Sequence, residues 1–207
     1  MNKEKSKVSK IIIKTAITKE EQQILHNLSV LYQHDMASFF EFPLNLPSKN
    51  GFYGPLPYFD LYWKESNRFP FLFLYANKPI GFALVNTVGT TKDVQWNMAE
   101  FFIVNGCRRR GFGLKAATQI IEQFQGVWEI AVVPENKQAV SFWRKTLQAF
   151  FSNNDFVLEQ KMVKNPKPHP MKIFRFKNDM KCIERKSGQV ITATFRTPQE
   201  EDCEPLS

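Results

Sequence analysis

The stretch Val104-Asn-Gly-Cys-Arg108-Arg109-Arg110-Gly111-Phe112-Gly113-Leu-Lys115 decides the fold, because it joins two segments of opposite periodicity. Before it, Gln95 to Val104 reads as a strand that Asn105 and Gly106 break. After it, Leu114, Ala117, Ile120, Ile121 and Phe124 recur at three- and four-residue spacing, which predicts a helix over Gly113 to Phe124 with Gly126 as its stop. A strand therefore feeds a short loop that feeds a helix. Gly111 and Gly113 permit positive φ and close backbone approach, so several N–H groups can converge at the helix start. Those donors and the helix dipole make an anion site, to which Arg108, Arg109, Arg110 and Lys115 add charge. So compact a cluster suits a diphosphate better than a duplex. A dinucleotide fingerprint needs a third glycine and a later acidic residue at another spacing, and a P-loop needs Gly-Lys-Ser/Thr. A structural turn with incidental arginines is the remaining alternative.

Outward from the loop, the pattern alternates. Ile11 to Ile17 reads as a first strand, and Thr18 with Glu21 forms a capping box for a helix carrying Ile24, Leu25, Leu28 and Leu31. That helix is expected to end near residues 34–38. Pro43, Pro47, Gly51, Gly54, Pro55 and Pro57 make a long loop, followed by a short aromatic helix around Tyr58 to Glu65. Phe71 to Tyr75, a turn at Asn77 to Pro79, and Ile80 to Val88 read as a hairpin. Val127 to Val133 is a strand, Pro134 opens a further helix, and Val157 to Val163, Ile173 to Phe176 and Val190 to Phe195 are candidate strands. An antiparallel run followed by βαβ-type connections gives a mixed α/β (α+β) sheet with helices packed on it.

A chain of 207 residues with 43% hydrophobic and 14% aromatic residues buries a core of one domain. The expected division is a basic arm over residues 1–10, one domain over 11–177 and a C-terminal extension over 178–207. No apolar run reaches the ~18 residues that cross a bilayer, and Ile11 to Ile13 are too few for a signal core. Cys107, Cys182 and Cys203 fit neither a disulfide framework nor a zinc site, so a cytoplasmic protein without metal is expected. The net charge of +8 sits partly in the N-terminal arm, and no basic-aromatic alternation or helix-turn-helix points to nucleic acid.

The motifs resemble a known family. Arg108-Arg-Arg-Gly111-Phe-Gly113 is similar to the Arg/Gln-x-x-Gly-x-Gly/Ala signature of the GCN5-related N-acetyltransferases (GNAT). Pro134-Glu-Asn136-Lys-Gln-Ala139-Val-Ser-Phe142-Trp143 is similar to that family's Asn-x-x-Ala-x-x-Phe/Leu-Tyr helix start. Tyr32 to Trp143, with Gly81 to Val85 before Glu100 to Phe102, also resembles a poorly characterised bacterial subgroup. The resemblance spans residues 11–177. It implies a GNAT-like fold, a mostly antiparallel sheet splayed between its fourth and fifth strands with helices on both faces. It also implies acetyl-CoA as co-substrate. Backbone groups of Phe101, Phe102 and Ile103 would hold the pantetheine arm and those of Arg108 to Gly113, Phe112 included, the pyrophosphate. Asn136 and Trp143 would lie on the cofactor from the next helix.

The implied reaction moves an acetyl group to a primary amine, a small amine or a peptide N-terminus, by direct attack in a ternary complex. An amine must shed a proton before attack, and Glu100, on the strand lining the thioester, is the first candidate base. Glu129 and Asp35 are further candidates. Many relatives carry a Tyr where this chain has Trp143, and an indole is no acid of useful strength; Tyr32, Tyr53, Tyr62 or a water could take that part. Asp35, Tyr53, Tyr62 and Trp63 are candidates for the acceptor pocket, where an aromatic wall would receive a cationic amine. The alternative is an acyl-CoA-binding regulatory or interaction module without turnover. Either a monomer or a homodimer is compatible with the sequence.

Overall fold

A computed structural model describes residues 10–41, 45–54, 56, 58–151, 155–164 and 168–179. The basic arm, the extension beyond residue 179 with the candidate strand Val190 to Phe195, and two of the three cysteines, Cys182 and Cys203, lie outside the described residues. In chain order the elements are β1 (Ile12–Thr15), α1 (Lys19–Ala37), a 3-10 helix (Phe59–Trp63), β2 (Arg68–Tyr75), β3 (Lys78–Asn86) and β4 (Trp96–Ile103). A second 3-10 turn (Asn105–Cys107), α2 (Phe112–Ile121), β5 (Gly126–Val132), α3 (Lys137–Phe150), β6 (Phe156–Lys164) and β7 (Pro168–Asn178) follow. The strands form one seven-stranded sheet in the order β1-β2-β3-β4-β5-β7-β6. Every neighbouring pair is antiparallel except β4–β5.

Local chemistry starts α1 where the sequence places it. The Thr18 hydroxyl accepts from the Glu21 N–H while the Glu21 carboxylate accepts from the Thr18 N–H, and the helix runs to a cap at Ser38. Three boundaries differ from expectation. The hairpin turn is Ala76-Asn77, both at positive φ, so Pro79 lies inside β3. Pro134 does not open α3; Asn136 does, as an N-cap whose side chain accepts from the Ala139 N–H at 3.0 Å. Gly126 is not the stop of α2, which ends at Ile121. It starts β5 at φ +120°, where a Cβ would meet the Gln95 side chain at 2.2 Å.

Burial divides the core between the two faces of the sheet. One face packs Phe71, Phe73, Ala83, Val85, Met98 and Trp128 under α2 and α3. The other packs Leu72, Phe82, Leu84 and Phe102 under α1 and the first 3-10 helix. One departure from strict alternation matters most. Leu84 opposes Glu100, but Val85 opposes Met98, so Ala99 is an extra residue that bulges from β4. Without the bulge, Met98 and Glu100 would share a face. With it, Met98 enters the α2/α3 core and Glu100 turns with Phe102 toward α1.

Glu129 is not a catalytic candidate in this fold. It is 1% exposed, and its carboxylate accepts from the Thr90 N–H (3.0 Å), the Thr90 hydroxyl (2.6 Å) and the Arg175 guanidinium (3.0 Å). It ties the loop before β4 to β5 and β7. Removing one partner of a buried pair strands the other charge. Glu129→Ala is therefore expected to lower unfolding free energy in urea by about 3 kcal/mol, with turnover per folded molecule unchanged.

Candidate active site

The parallel β4–β5 pair is brief. Trp96 opposes Trp128 and Asn97 opposes Glu129, and no further residues of the two strands pair. Beyond Asn97, β4 keeps β3 on one side and leaves its other edge without a partner strand. The Val104 N–H donates to the Ile80 carbonyl at 2.9 Å. Antiparallel ladders alternate, so Phe102 exchanges its backbone bonds with Phe82, while Phe101 and Ile103 turn theirs to the β5 side. Of the three residues expected to present backbone groups, Phe102 is thus engaged by β3. The Ile103 carbonyl accepts from Arg108 Nε at 2.7 Å.

The loop at the end of that edge opens α2. Gly111 is its N-cap at φ +79°, with no atom within 4 Å of where a Cβ would sit and no side chain to cap the helix. Phe112, Gly113 and Leu114 therefore present N–H groups that no carbonyl of the helix can reach. Gly113 serves packing: a Cβ there would stand 3.1 Å from the Phe142 ring, where α2 approaches α3. Arg109 adopts φ +60° and is exposed with Arg110, whose Nε bonds the Gly106 carbonyl at 3.3 Å. Phe112 packs on Tyr75 at 4.8 Å.

Arg108 departs from the expectation of a phosphate ligand. Its N–H donates to Asn105, and its side chain turns back to pair with Asp35 on α1, lying 5.5 Å over the Phe102 ring. Asp35, expected at the acceptor pocket, is thereby held against the loop that opens α2. Its neighbour His34 meets Tyr53 edge-on at 5.8 Å, and the Tyr53 hydroxyl donates to the Asn45 carbonyl at 3.3 Å. Trp63 donates its indole N–H to the Ala16 carbonyl at 2.8 Å, which fastens the 3-10 helix to the chain after β1. Asn136 is occupied as a cap. Trp143 is committed to the core: it is 4% exposed and packs edge-on against Phe101 (5.2 Å) and Phe142 (5.0 Å).

Glu100 is different. Its residue is only partly covered, but burial of the carboxyl pushes its pKa up to about 7, opposed by a hydrogen bond with the Tyr32 hydroxyl. Burial, and then the Glu100 charge, raise Tyr32 in turn. Tyr62, 5% exposed, is pushed up to about 12, chiefly by burial. Its hydroxyl accepts from the Asn86 side chain at 2.8 Å, and Arg68 stands 5.3 Å over its ring. Asn86 and Arg68 escape sequence reasoning as site residues, because neither forms a motif and only the bulge brings Glu100 to their face. Among the described residues no group of three His, Cys, Asp or Glu could hold a metal.

A model of the acetyltransferase (GNAT) family matches residues 30–148, more than half of the chain. The chain belongs to this family. Among solved structures it resembles an N-acetyltransferase from Staphylococcus aureus Mu50 (12% identity, 82% of this chain and 99% of that one, TM-score 0.54). An acetyltransferase from Thermus thermophilus matches at 14% identity over 80% of this chain and 96% of that one, with TM-score 0.53. The Bacillus subtilis acetyltransferase solved in complex with CoA matches at 12% identity over 81% and 99%, with TM-score 0.50. No curated protein matches the chain. At these identities the structures establish the GNAT fold, and the family model establishes an acetyltransferase. No helix among the described residues is long and apolar enough to cross a membrane.

The weakened acidity of Glu100 makes stability depend on pH. The folded carboxyl holds its proton up to about pH 7, whereas the unfolded one releases it near 4.5. Its contribution to stability is whole below pH 4.5 and falls as pH rises through 7. Glu100→Gln should gain in denaturation midpoint relative to the parent between pH 4.5 and 7 and hold that gain above. In Tyr32→Phe, which loses the opposing hydrogen bond, carboxyl 13C NMR should show the Glu100 midpoint moved upward.

Proposed function

We propose that this acetyltransferase binds acetyl-CoA along the free edge of β4 and transfers the acetyl group to a primary amine by direct attack in a ternary complex. The observation that carries the reading is the coincidence of two features. β4 leaves β5 after Asn97, and the uncapped start of α2 opens at the far end of that same edge. A diphosphate fits the N–H groups of Phe112, Gly113 and Leu114, with Arg109, Arg110 and Lys115 exposed around them. An amide-bearing arm fits the outward groups of Phe101 and the Ile103 N–H as an added strand would, the Ile103 carbonyl already accepting from Arg108. That the B. subtilis acetyltransferase was solved in complex with CoA supports CoA as the class of ligand.

Acetyl-CoA supplies the activated carbonyl, and this chain supplies the proton acceptor and the oxyanion donors. Glu100, ionised above about pH 7, takes the proton that the ammonium acceptor must lose. Outward N–H groups of β4 meet the oxyanion that develops on attack. The buried Trp143 lacks the acidity of the tyrosine many relatives carry there, and burial makes Tyr32 a weaker acid than usual, so the thiolate leaves as the anion or takes its proton from water. That same substitution favours the second reading, a CoA-binding module without turnover.

Calorimetry with acetyl-CoA should give micromolar-range binding that Gly111→Asp abolishes, since the variant forces a side chain onto positive φ and sets a carboxylate in an anion site. Absence of binding at millimolar ligand sinks the assignment. Thiol release against a panel of amines should rise with pH through an apparent pKa near 7. Glu100→Gln should lose about 10²-fold in kcat and that limb of the profile. Tight binding without turnover on any acceptor favours the module.

A further inference from the structure

The two faces of the sheet are not covered to the same extent. On β5, β7 and β6, Trp128, Ile130, Phe174, Phe176, Phe156 and Leu158 pack into the core under α2 and α3. Alternation sends Val127, Glu129, Arg175, Lys177 and Val157 to the opposite face, where the strand register sets them side by side. None of these five belongs to the core under α1. Thr90 and Thr91, bonded to Glu129 and Arg175, cover the middle of that face. Toward the Gly126 end it is bare. Val157 is 64% exposed there, and a cavity of about 400 Å³ opens, lined by Val127, Phe156, Val157, Arg175, Phe176 and Lys177. A second, of about 460 Å³, adjoins it across Asp155 and Lys177 and reaches Phe151 and Asp179. β6 also ends the sheet, so its outer edge has no partner strand among the described residues, and such edges are normally covered or blunted.

The chain itself leaves the sheet at this place. β7 ends at Asn178, whose buried side-chain amide donates to the Ile121 carbonyl at 2.8 Å and to the Phe124 carbonyl at 2.9 Å. The next residue, Asp179, already lines the second cavity. Residues 180–207 continue from there. Within them Val190-Ile191-Thr192-Ala193-Thr194-Phe195 alternates, with Ile191, Ala193 and Phe195 on one face and Thr192 and Thr194 on the other. A strand of that pattern needs an apolar surface to lie on. Residues 180–189 span up to ~35 Å when extended, whereas β6 lies only ~5 Å from β7. Reach is no obstacle, and the tether holds the segment at a high effective concentration beside the bare face.

We infer that residues 190–195 cover this face, lying across the Gly126 end of β5, β7 and β6 with Ile191, Ala193 and Phe195 against Val127 and Val157. The inference is independent of the ligand and gives the C-terminal extension a place on the domain. Arg175, which lines the cavity, also grips Glu129 where β4 and β5 part, so the docked segment bears on the residue that fastens that junction.

Hydrogen–deuterium exchange on the full chain reads the contact. Amides of residues 191–195 should exchange about tenfold or more slowly than in a synthetic peptide of residues 186–199, the scale set by burial of one aromatic side chain. Val157→Asp should return them to the rate of the peptide. Met162→Asp, at a site 62% exposed on the other face of β6, should leave them protected. Exchange at the peptide's rate in the parent overturns the inference. So does protection that survives Val157→Asp, which puts the segment on another surface, or that is lost equally in Met162→Asp. Protection that fades on dilution together with a dimer in sedimentation velocity overturns it in favour of a second copy as the cover.

Discussion

Everything at the site depends on two strands that part too early. A parallel pair as short as Trp96–Trp128 and Asn97–Glu129 leaves β4 with an edge whose N–H and C=O groups have no strand to meet. Unpaired backbone polar groups inside a protein are costly, and a β edge normally invites another strand. That edge runs from the bulge at Ala99 to the loop that opens α2.

The rest of the fold holds that edge open. The α2/α3 face is anchored by an aromatic chain through Phe101, Phe142 and Trp143, and by Gly113, whose missing Cβ lets α2 sit against Phe142. The opposite face is held by α1 and the 3-10 helix, through Arg108–Asp35 at one end and Trp63–Ala16 at the other. Glu129, gripping Thr90 and Arg175, secures the junction where the strands separate. Arg108 thus ties the loop before α2 to α1 in one residue.

Much of this is legible in the residues. The capping box at Thr18, the strand–loop–helix at Val104 to Lys115 and the second block at Asn136 all follow from local rules, and the structure keeps each of them. The departures share a cause. Residue type alone places the boundaries at Pro134, Gly126 and Asn77, and in each case a tertiary contact or a neighbour's conformation moves the boundary by a few residues. Position in a motif or an aromatic cluster points Trp143, Asn136 and Trp63 at a ligand. Burial and hydrogen bonding instead commit them to packing and capping.

The sequence by itself determined the order of elements, the strand–loop–helix turn at Gly111 and the family, because those follow from periodicity, glycine placement and motif spacing along a few adjacent residues. Only the tertiary structure decided which way Glu100 faces. A single extra residue at Ala99 sends Met98 and Glu100 to opposite sides of the sheet, and a bulge depends on the register between β3 and β4 rather than on the composition of β4. The partners of Arg108 were decided in the same way, since Asp35 lies 73 residues away in the chain and comes within reach only when α1 packs across the end of β4.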